Sequence, residues 1–525
     1  MAKASQQRLM RGALLLTVTS FMVKILSAVY RVPFQNMVGD EGFYAYQQVY
    51  PIYGIAMTLS LSGLPVFLSK LVAEQEEEQQ KLSVVRQIFP LVFGLSAIMF
   101  GVTFFGGDLL ASWMGDKALA PLIKMVSFVF LLTPFLTSYR GYFQGELMMA
   151  PTAYSQLLEQ FLRVGVILGA AFILTKIGWS IYQVGTMAMA GALVGGLGAL
   201  IILWQYRPDK GLLGKGRIHL EQGKESRSYF RRFLVEGGLI CGYSSLLVLF
   251  QLVDSFVIKN QLVMSGLTNM EAKITKGIYD RGQPLVQVGL VIAVALTTSF
   301  LPTLTKYHME KKQVFYERTA STFLRVTIVI ASGASVGLML LLPYVNSSLF
   351  GDDRETLSLS LLMGTIFLMS LILAFQTLFQ SRNYYRPALY GLVLGCVVKV
   401  LVSPVLTSYL GTVGASLATL LGLGACLFVL VYNALQMSKY GINSQFIWKL
   451  MICLGMMVVT LVVYRWGVDS WLVANESRPL FMAGALVGVA LGGSVFLWLL
   501  ISSRLFTLRE WLMIPMGKKL LRLKK

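Results

Sequence analysis

Apolar residues run along this chain in blocks too long for a soluble core. The stretches Ile88–Phe105, Met125–Leu136, Val164–Leu174 and Leu480–Ile501 are typical, and similar blocks recur from end to end. A helix that crosses a bilayer takes about 20 mainly apolar residues. Backbone groups in hydrocarbon must bond within their own helix or around a closed barrel. The blocks are continuously apolar and do not alternate every second residue, which selects helices. About fourteen spanning helices are predicted, beginning near Met10, Phe43, Gln87, Leu122, Thr152, Ile181, Phe233, Tyr279, Ser321, Leu357, Ala388, Val413, Phe446 and Pro479.

The polar positions between the blocks show an internal repeat. Ser62-Gly63-Leu64-Pro65 reappears as Ser299-Phe300-Leu301-Pro302. In nearly the same register, Phe143-Gln144, Pro151, Tyr154 and Arg163 return as Phe379-Gln380, Pro387, Tyr390 and Lys399. Six helices per repeat is an even number, so the halves share orientation about an axis along the membrane normal. Transporters use that arrangement, with the substrate site where the halves meet. The predicted class is therefore an all-α polytopic membrane protein with two six-helix lobes in parallel repeat. Its parts are an N-terminal lobe (1–206), a cytoplasmic linker (207–232), a C-terminal lobe (233–438), two extra helices (439–503) and a basic tail (504–525).

Composition supports this reading. Of 525 residues, 56% are hydrophobic and 13% charged, against about 25% charged in a soluble domain. A net charge of +20 raises the question of nucleic acid. The basic residues, however, cluster in alternate loops, chiefly Arg207–Arg232, Lys306–Arg325 and Arg504–Lys525, as the positive-inside rule expects. Both termini are predicted to be cytoplasmic, with the tail against anionic lipid heads and no nucleic-acid partner. The acidic stretch Glu74–Gln80 reads as a solvated cytoplasmic loop. Lys3, Arg8 and Arg11 precede a long apolar run without a small-residue cleavage site, so that run is read as a retained helix. The four cysteines (Cys241, Cys396, Cys426 and Cys453) lie in apolar segments without a CxxC pair and read as packing residues.

Enzyme signals are poor. The two histidines, His219 and His308, fall in predicted loops, so neither a zinc cluster nor a Ser-His-Asp set is expected. The run Gly333–Gly337 matches G-x-S-x-G but lies in an apolar helix, not in a strand-turn-helix. No P-loop motif is present. No catalytic residue, metal or cofactor is predicted.

Ionisable residues inside a membrane are costly and default to functional candidates. Lys24 and Arg31 are spaced to share one face of the first helix. Glu159 and Arg163 stand as an i,i+4 pair on the fifth, expected to pair structurally. Lys399 takes the equivalent depth in the second half with Gly395 where an acid would stand, and is expected to meet substrate or a coupling ion. Lys124 is expected to snorkel. Asp280 and Arg281 open the eighth helix, with Gln283 and Gln287 continuing a polar stripe. Asp254, inside the seventh, reads either as a proton or cation site or as counter-ion to a nearby base.

Several runs carry a family likeness. These are Arg140-Gly141-Tyr142-Phe143-Gln144-Gly145, Pro151-Thr152-Ala153-Tyr154-Ser155-Gln156 with Glu159-Gln160, Phe43-Tyr44 with Gln47-Gln48-Val49-Tyr50-Pro51, Leu252-Val253-Asp254, and Ile278-Tyr279-Asp280-Arg281. From about Arg11 to Asn433 the chain resembles the polysaccharide-biosynthesis branch of the MOP flippase superfamily, the group of SpoVB-like and MurJ-like proteins. The resemblance implies fourteen helices, two lobes around a central cavity, and a groove formed with the last helix pair. It also implies a cargo: an undecaprenyl-diphosphate-linked sugar, lipid II or a related cell-envelope precursor, moved from inner to outer leaflet of the bacterial plasma membrane by alternating access. Contact with the cell-envelope synthesis machinery would follow.

MurJ-like proteins line the cavity with bases, and Lys24, Arg31 and Arg281 are similar in position to three of them; Lys399 joins them as a candidate for the diphosphate. Asp254, Asp280, Glu159 and Arg163 are left as coupling or structural charges. The likeness has gaps. No Arg or Lys stands between Phe43 and Leu68, where some relatives carry an arginine pair. Some relatives bind sodium through carboxylates on helices seven and eleven, and here helix eleven offers Lys399. Coupling to the membrane potential or to an ion gradient is left open. The competing reading is a cation-coupled multidrug antiporter of the same superfamily, which would want cavity carboxylates. A membrane glycosyltransferase or polymerase would want acidic residues on a sizeable outer loop, and the predicted outer loops are short.

Overall fold

The structure is a computed structural model that describes residues 2–208, 211–212, 229–437, 440–475, 477–506 and 510. Most of the predicted linker and tail, including His219, lies outside the described residues. Those described contain helices and no strand. Twelve helical segments are long and apolar enough to cross a membrane. Two of them, Val18–Ala73 with 56 residues and Arg386–Met437 with 52, are long enough to cross twice. Each is interrupted by a glycine in the left-handed region, Gly39 (φ 71°) and Gly411 (φ 57°). The fourteen predicted crossings are thereby accounted for, and the chain is a multi-pass membrane protein.

Contacts divide the chain into two compact units, and the first comprises Met1–Asp280 with Lys399–Gly411. It starts with α1 (Ala2–Val29), α2 (Arg31–Met57) and, after a π-turn at Thr58–Ser62, α3 (Leu64–Ala73). The π-turn follows from sequence. Gly63 leaves the helical region, and Pro65 in the first turn of α3 lacks the N–H that would continue the earlier ladder. Then come α4 (Glu78–Phe105), α5 (Gly107–Trp113), α6 (Ala120–Gly145), α7 (Met149–Ile177) and α8 (Ile181–Gln205). A capping box between Ser180 and Gln183 starts α8. Its small-residue face lets it lie on the backbone of α7. A Cβ at Gly191 or Gly195 would stand 2.9 Å and 2.6 Å from the carbonyl oxygens of Arg163 and Glu159. Such close approach replaces the hydrophobic drive that lipid removes.

The unit is completed by α9 (Gly238–Ser244), α10 (Leu246–Met264) and α11 (Asn269–Asp280). Residues 233–280 thus pack with the first six predicted helices, although the sequence repeat groups them with the second half. Specific contacts hold them there: Lys70–Glu236 at 2.9 Å, Arg232–Glu74 at 2.8 Å, and the Gln48 amide donating to the Ser255 carbonyl at 2.5 Å. The predicted eighth helix, with its start near Tyr279, corresponds to the helix Gly282–Met309. Before it stands α11, from Asn269, which the sequence did not predict and which buries Ala272, Lys276, Gly277, Ile278, Tyr279 and Asp280. Its polar, strongly amphipathic composition hid it from an apolar-run criterion.

The second unit comprises Arg281–Val398 and Thr412–Lys525. It holds α12 (Gly282–Met309), α13 (Gln313–Phe350), α14 (Thr356–Leu362), α15 (Gly364–Ser381), the rest of α16 (Arg386–Met437), α17 (Ser444–Asn475) and α18 (Arg478–Ser502). The last pair packs on α13: Tyr344 donates to Asp469, Arg465 to the Leu340 carbonyl at 3.1 Å.

Candidate functional site

The buried charges of the first unit follow from four local arrangements. On α6, Arg140 is fully buried and reaches Glu159 of α7 at 2.5 Å. Its Nη1 donates to the Ser60 carbonyl at 3.1 Å, an acceptor that lies in the π-turn, and its Nε to Ser155 Oγ at 3.3 Å. The expected Glu159–Arg163 pair is therefore not what forms. Spacing of i,i+4 puts the two residues on one face, but Arg140 arrives from another helix with geometry that the same helix cannot offer.

Arg163 turns instead toward α1 and α2. Its Nη2 donates to Ser27 Oγ at 3.1 Å and Gln160 Oε1 at 2.6 Å. Its guanidinium lies over the rings of Tyr30 (5.3 Å) and Tyr53 (4.8 Å). Beside it, Arg31 is 0% exposed, with its guanidinium 4.2 Å from the Tyr50 ring centre. None of the three Arg31 guanidinium nitrogens makes a hydrogen bond to a described residue. The tyrosine wall is held by its own contacts, Tyr30 to Tyr46 hydroxyl at 2.9 Å and Tyr50 to Tyr53 ring at 5.7 Å.

Two further pairs lie close by. Lys399 Nζ stands 2.5 Å from Asp254 Oδ1, with both side chains buried. Lys399, which lacks an acid on its own helix, thus has one from α10, and Asp254 is counter-ion to a base. Lys276 Nζ stands 2.5 Å from Asp280 Oδ1, again with both buried. Asp280 is within electrostatic reach of Asp254 and Arg31, and Lys399 of Lys276.

The balance of these groups is uneven. Glu159, Asp254 and Asp280 each take one base, namely Arg140, Lys399 and Lys276. Arg31 and Arg163 remain, facing tyrosine rings, so among the described residues the cluster holds two positive charges that no carboxylate matches. A cation–π contact returns about 0.5–2 kcal/mol. The effective cost of burying an ion is several kcal/mol. Rings alone do not offset that cost, and the arrangement suits an anion.

Residues 9–308 match the family model for polysaccharide biosynthesis proteins. The chain belongs to that family. Over 513 residues the chain is 36% identical to the uncharacterized membrane protein YabM of Bacillus subtilis (strain 168), covering 97% of this chain and 95% of the other. It is 25% identical to the lipid II flippase MurJ of the same organism, with 94% of each chain covered. Against stage V sporulation protein B of that organism identity is 24%, over 83% of this chain and 84% of that one. Among solved structures it resembles MurJ in an inward closed conformation (TM-score 0.69, 13% identity, 94% of this chain and 99% of that one). It also resembles an inward-facing MATE multidrug resistance transporter of the MOP superfamily (TM-score 0.64, 13% identity, 82% and 99%). At these identities the structures speak to fold.

The remaining sequence candidates of this family member are placed as follows. Lys24 is exposed on α1 and has no ion-pair partner among the described residues. It continues one helical run with Arg31 and, though open to solvent, is likewise surrounded by protein. Arg281, in the second unit, reaches Asp352 at 2.7 Å. Lys124 is half-exposed and pairs with Asp108 at 2.6 Å, which fits a snorkelling lysine. Sequence reasoning missed Arg140, Lys276, Asp352 and the tyrosine wall. It also missed a polar set in which Lys259 donates to the Gly115 carbonyl and Asn269 Oδ1, both at 2.7 Å, while Lys273 meets Asp116 at 3.0 Å. The repeated tyrosines of the Phe43–Tyr53 segment were a visible signal for the wall; the ion-pair partners, distant in sequence, had none.

Proposed function

We propose that this protein is a flippase for an undecaprenyl-diphosphate-linked sugar, lipid II or a related cell-envelope precursor, carried from inner to outer leaflet by alternating access. The observation that carries this reading is the surplus of two buried guanidinium charges, Arg31 and Arg163, which face tyrosines and no carboxylate among the described residues. A diphosphate diester is a dianion at neutral pH, and guanidinium grips phosphate oxygens through paired, charge-assisted hydrogen bonds. Lys24 and Arg281 are the further bases proposed to meet it. Lys399 stands back from this set because its ammonium is committed to Asp254. The lobes proposed are the two halves of the sequence repeat, and the orientation proposed puts both termini in the cytoplasm of a bacterial cell.

The antiporter reading is weakened by the same inventory. A cationic drug needs free carboxylates, and Glu159, Asp254 and Asp280 are each spent on a base.

Depletion of the protein in its host, followed by identification of the lipid-linked intermediate that accumulates on the inner leaflet, tests the function and names the sugar. With purified protein, Arg31→Ala is expected to weaken binding of undecaprenyl diphosphate by at least roughly tenfold, the loss of a charged hydrogen-bond set. Arg31→Lys should recover part of it. Competition by a cationic dye with no effect of the Arg31 variants would return the antiporter to first place.

A further inference from the structure

In the second unit Arg281 and Asp352 meet fork to fork. Nη1 lies 2.7 Å from Oδ1 and Nη2 3.1 Å from Oδ2. The arginine side chain is 1% exposed and the aspartate 27%. Asp352 follows the end of α13, two residues after Phe350, where Gly351 turns the chain in the left-handed region (φ 90°). Its carboxylate is shared: Arg354 Nη2 reaches Oδ2 at 2.8 Å and the Arg354 backbone N–H reaches Oδ1 at 3.2 Å. Burial pushes the Asp352 carboxyl up, but the bonds from Arg281 and Arg354 outweigh it and hold it down at about 2. The group is ionised throughout the physiological range.

From this geometry we infer that Asp352 is a built-in competitor for the cargo's phosphate, holding Arg281 in the empty protein and reclaiming it as the cargo departs. The inference rests on the proposed function, which makes Arg281 a phosphate base. A guanidinium fork fits two carboxylate oxygens and two phosphate oxygens equally well, and it cannot give the same two donors to both. A carboxylate on the same chain competes at an effective concentration set by its tether, so it needs no high affinity to win when the cargo loosens.

Two details suit exchange better than a fixed clasp. Arg281 is enclosed whereas Asp352 is partly open, so a replacement anion has a way in on the aspartate's side. Arg354 is 53% exposed and already bonded to the same carboxylate, so Asp352 keeps a cation when Arg281 lets go. Position agrees as well. The 38 residues of α13 start within the basic Lys306–Arg325 stretch and run roughly 57 Å at 1.5 Å per residue. That exceeds the ~30 Å hydrocarbon core. Asp352 therefore lies at the face opposite the basic loops, where an exported cargo leaves. It is a positioning residue, acting on cargo through Arg281.

The test uses the full-length protein in lipid nanodiscs with undecaprenyl diphosphate as the probe, and vesicles for transport of a fluorescent undecaprenyl-diphosphate sugar. Asp352→Asn is expected to bind the probe roughly tenfold tighter and to transport with lower KM and lower kcat together. Arg354→Gln, which leaves Asp352 wholly to Arg281, should bind several-fold weaker. A clasp that is structural would lower kcat without tightening binding. If wild type binds and Asp352→Asn binds no tighter, the competitor role is overturned while the proposed function stands. If wild type does not bind the probe, the proposed function fails and this inference falls with it. Should Asp352→Asn not fold, Arg354→Gln decides: unchanged or tighter binding overturns the inference.

Discussion

Glu159 shows what a residue's neighbours along the helix conceal. Its i,i+4 partner in sequence is Arg163, yet its carboxylate is taken by Arg140, and Arg163 stacks on tyrosines. Removing one member of a buried ion pair strands the other and costs about 3–5 kcal/mol. Glu159→Gln should therefore lower the yield and melting temperature of folded protein, as read by fluorescence-detected size-exclusion chromatography over a temperature series. Adding Arg140→Gln should recover part of the loss, and adding Arg163→Gln should not. The reverse pattern of rescue would mean that Glu159 answers to its own helix. Arg31, Glu159, Arg163, Asp254 and Lys399 were legible in the sequence because ionisable residues stand out against apolar runs, whereas Arg140 and Lys276 were missed. The pairing was not legible, since Arg140–Glu159 and Asp254–Lys399 each join different helices and Arg281–Asp352 joins two interhelical positions far apart in sequence.

Elements were legible where hydrophobicity alone defines them, and α4 and α18 fall close to the apolar runs that predicted them. Segments that borrow stability from packing were misjudged, above all α11, whose polar residues are buried only because α2 lies alongside. Gly277 makes that contact. A Cβ there would sit 2.2 Å from the Asp40 carbonyl oxygen and 3.3 Å from Tyr44 Cβ, so alanine would force the two helices apart. A cysteine in place of the buried Ser255 of α10, whose carbonyl accepts from Gln48 of α2, reports on whether α2 stays packed when α11 is pushed away from it. Ser255→Cys should resist a hydrophilic thiol reagent in the parent protein and react several-fold faster when Gly277→Ala is added. Equal rates would show that α11 does not depend on this approach.

At the scale of the molecule, the count of crossings and the basic loops together set the proposed orientation. Single cysteines at Ser226, in the predicted linker, and at Ser470, exposed on α17, should behave oppositely in intact cells: an impermeant reagent is expected to label Ser470→Cys and spare Ser226→Cys. Labelling of the linker site alone would invert the molecule and reverse the direction of transport proposed above. The broad plan was readable because a bilayer imposes a single rule on every segment. The grouping of residues 233–280 with the first unit was not, because repeats record how a chain was duplicated and contacts record how it is packed now.

The two unmatched guanidinium groups have an electrical consequence. On the proposed function, a dianion seated against Arg31, Arg163 and Lys24, which has no ion-pair partner among the described residues, leaves one surplus positive charge on the loaded site against three on the empty one. The empty protein thus carries two charges more. Moving two charges across 100 mV is worth about 4–5 kcal/mol. In a cell that is negative inside, this work would fall mainly on the unloaded return stroke, drawing the vacant, positive site back toward the cytoplasm. A voltage step applied without cargo would then produce a transient capacitive current, and saturating cargo would diminish it.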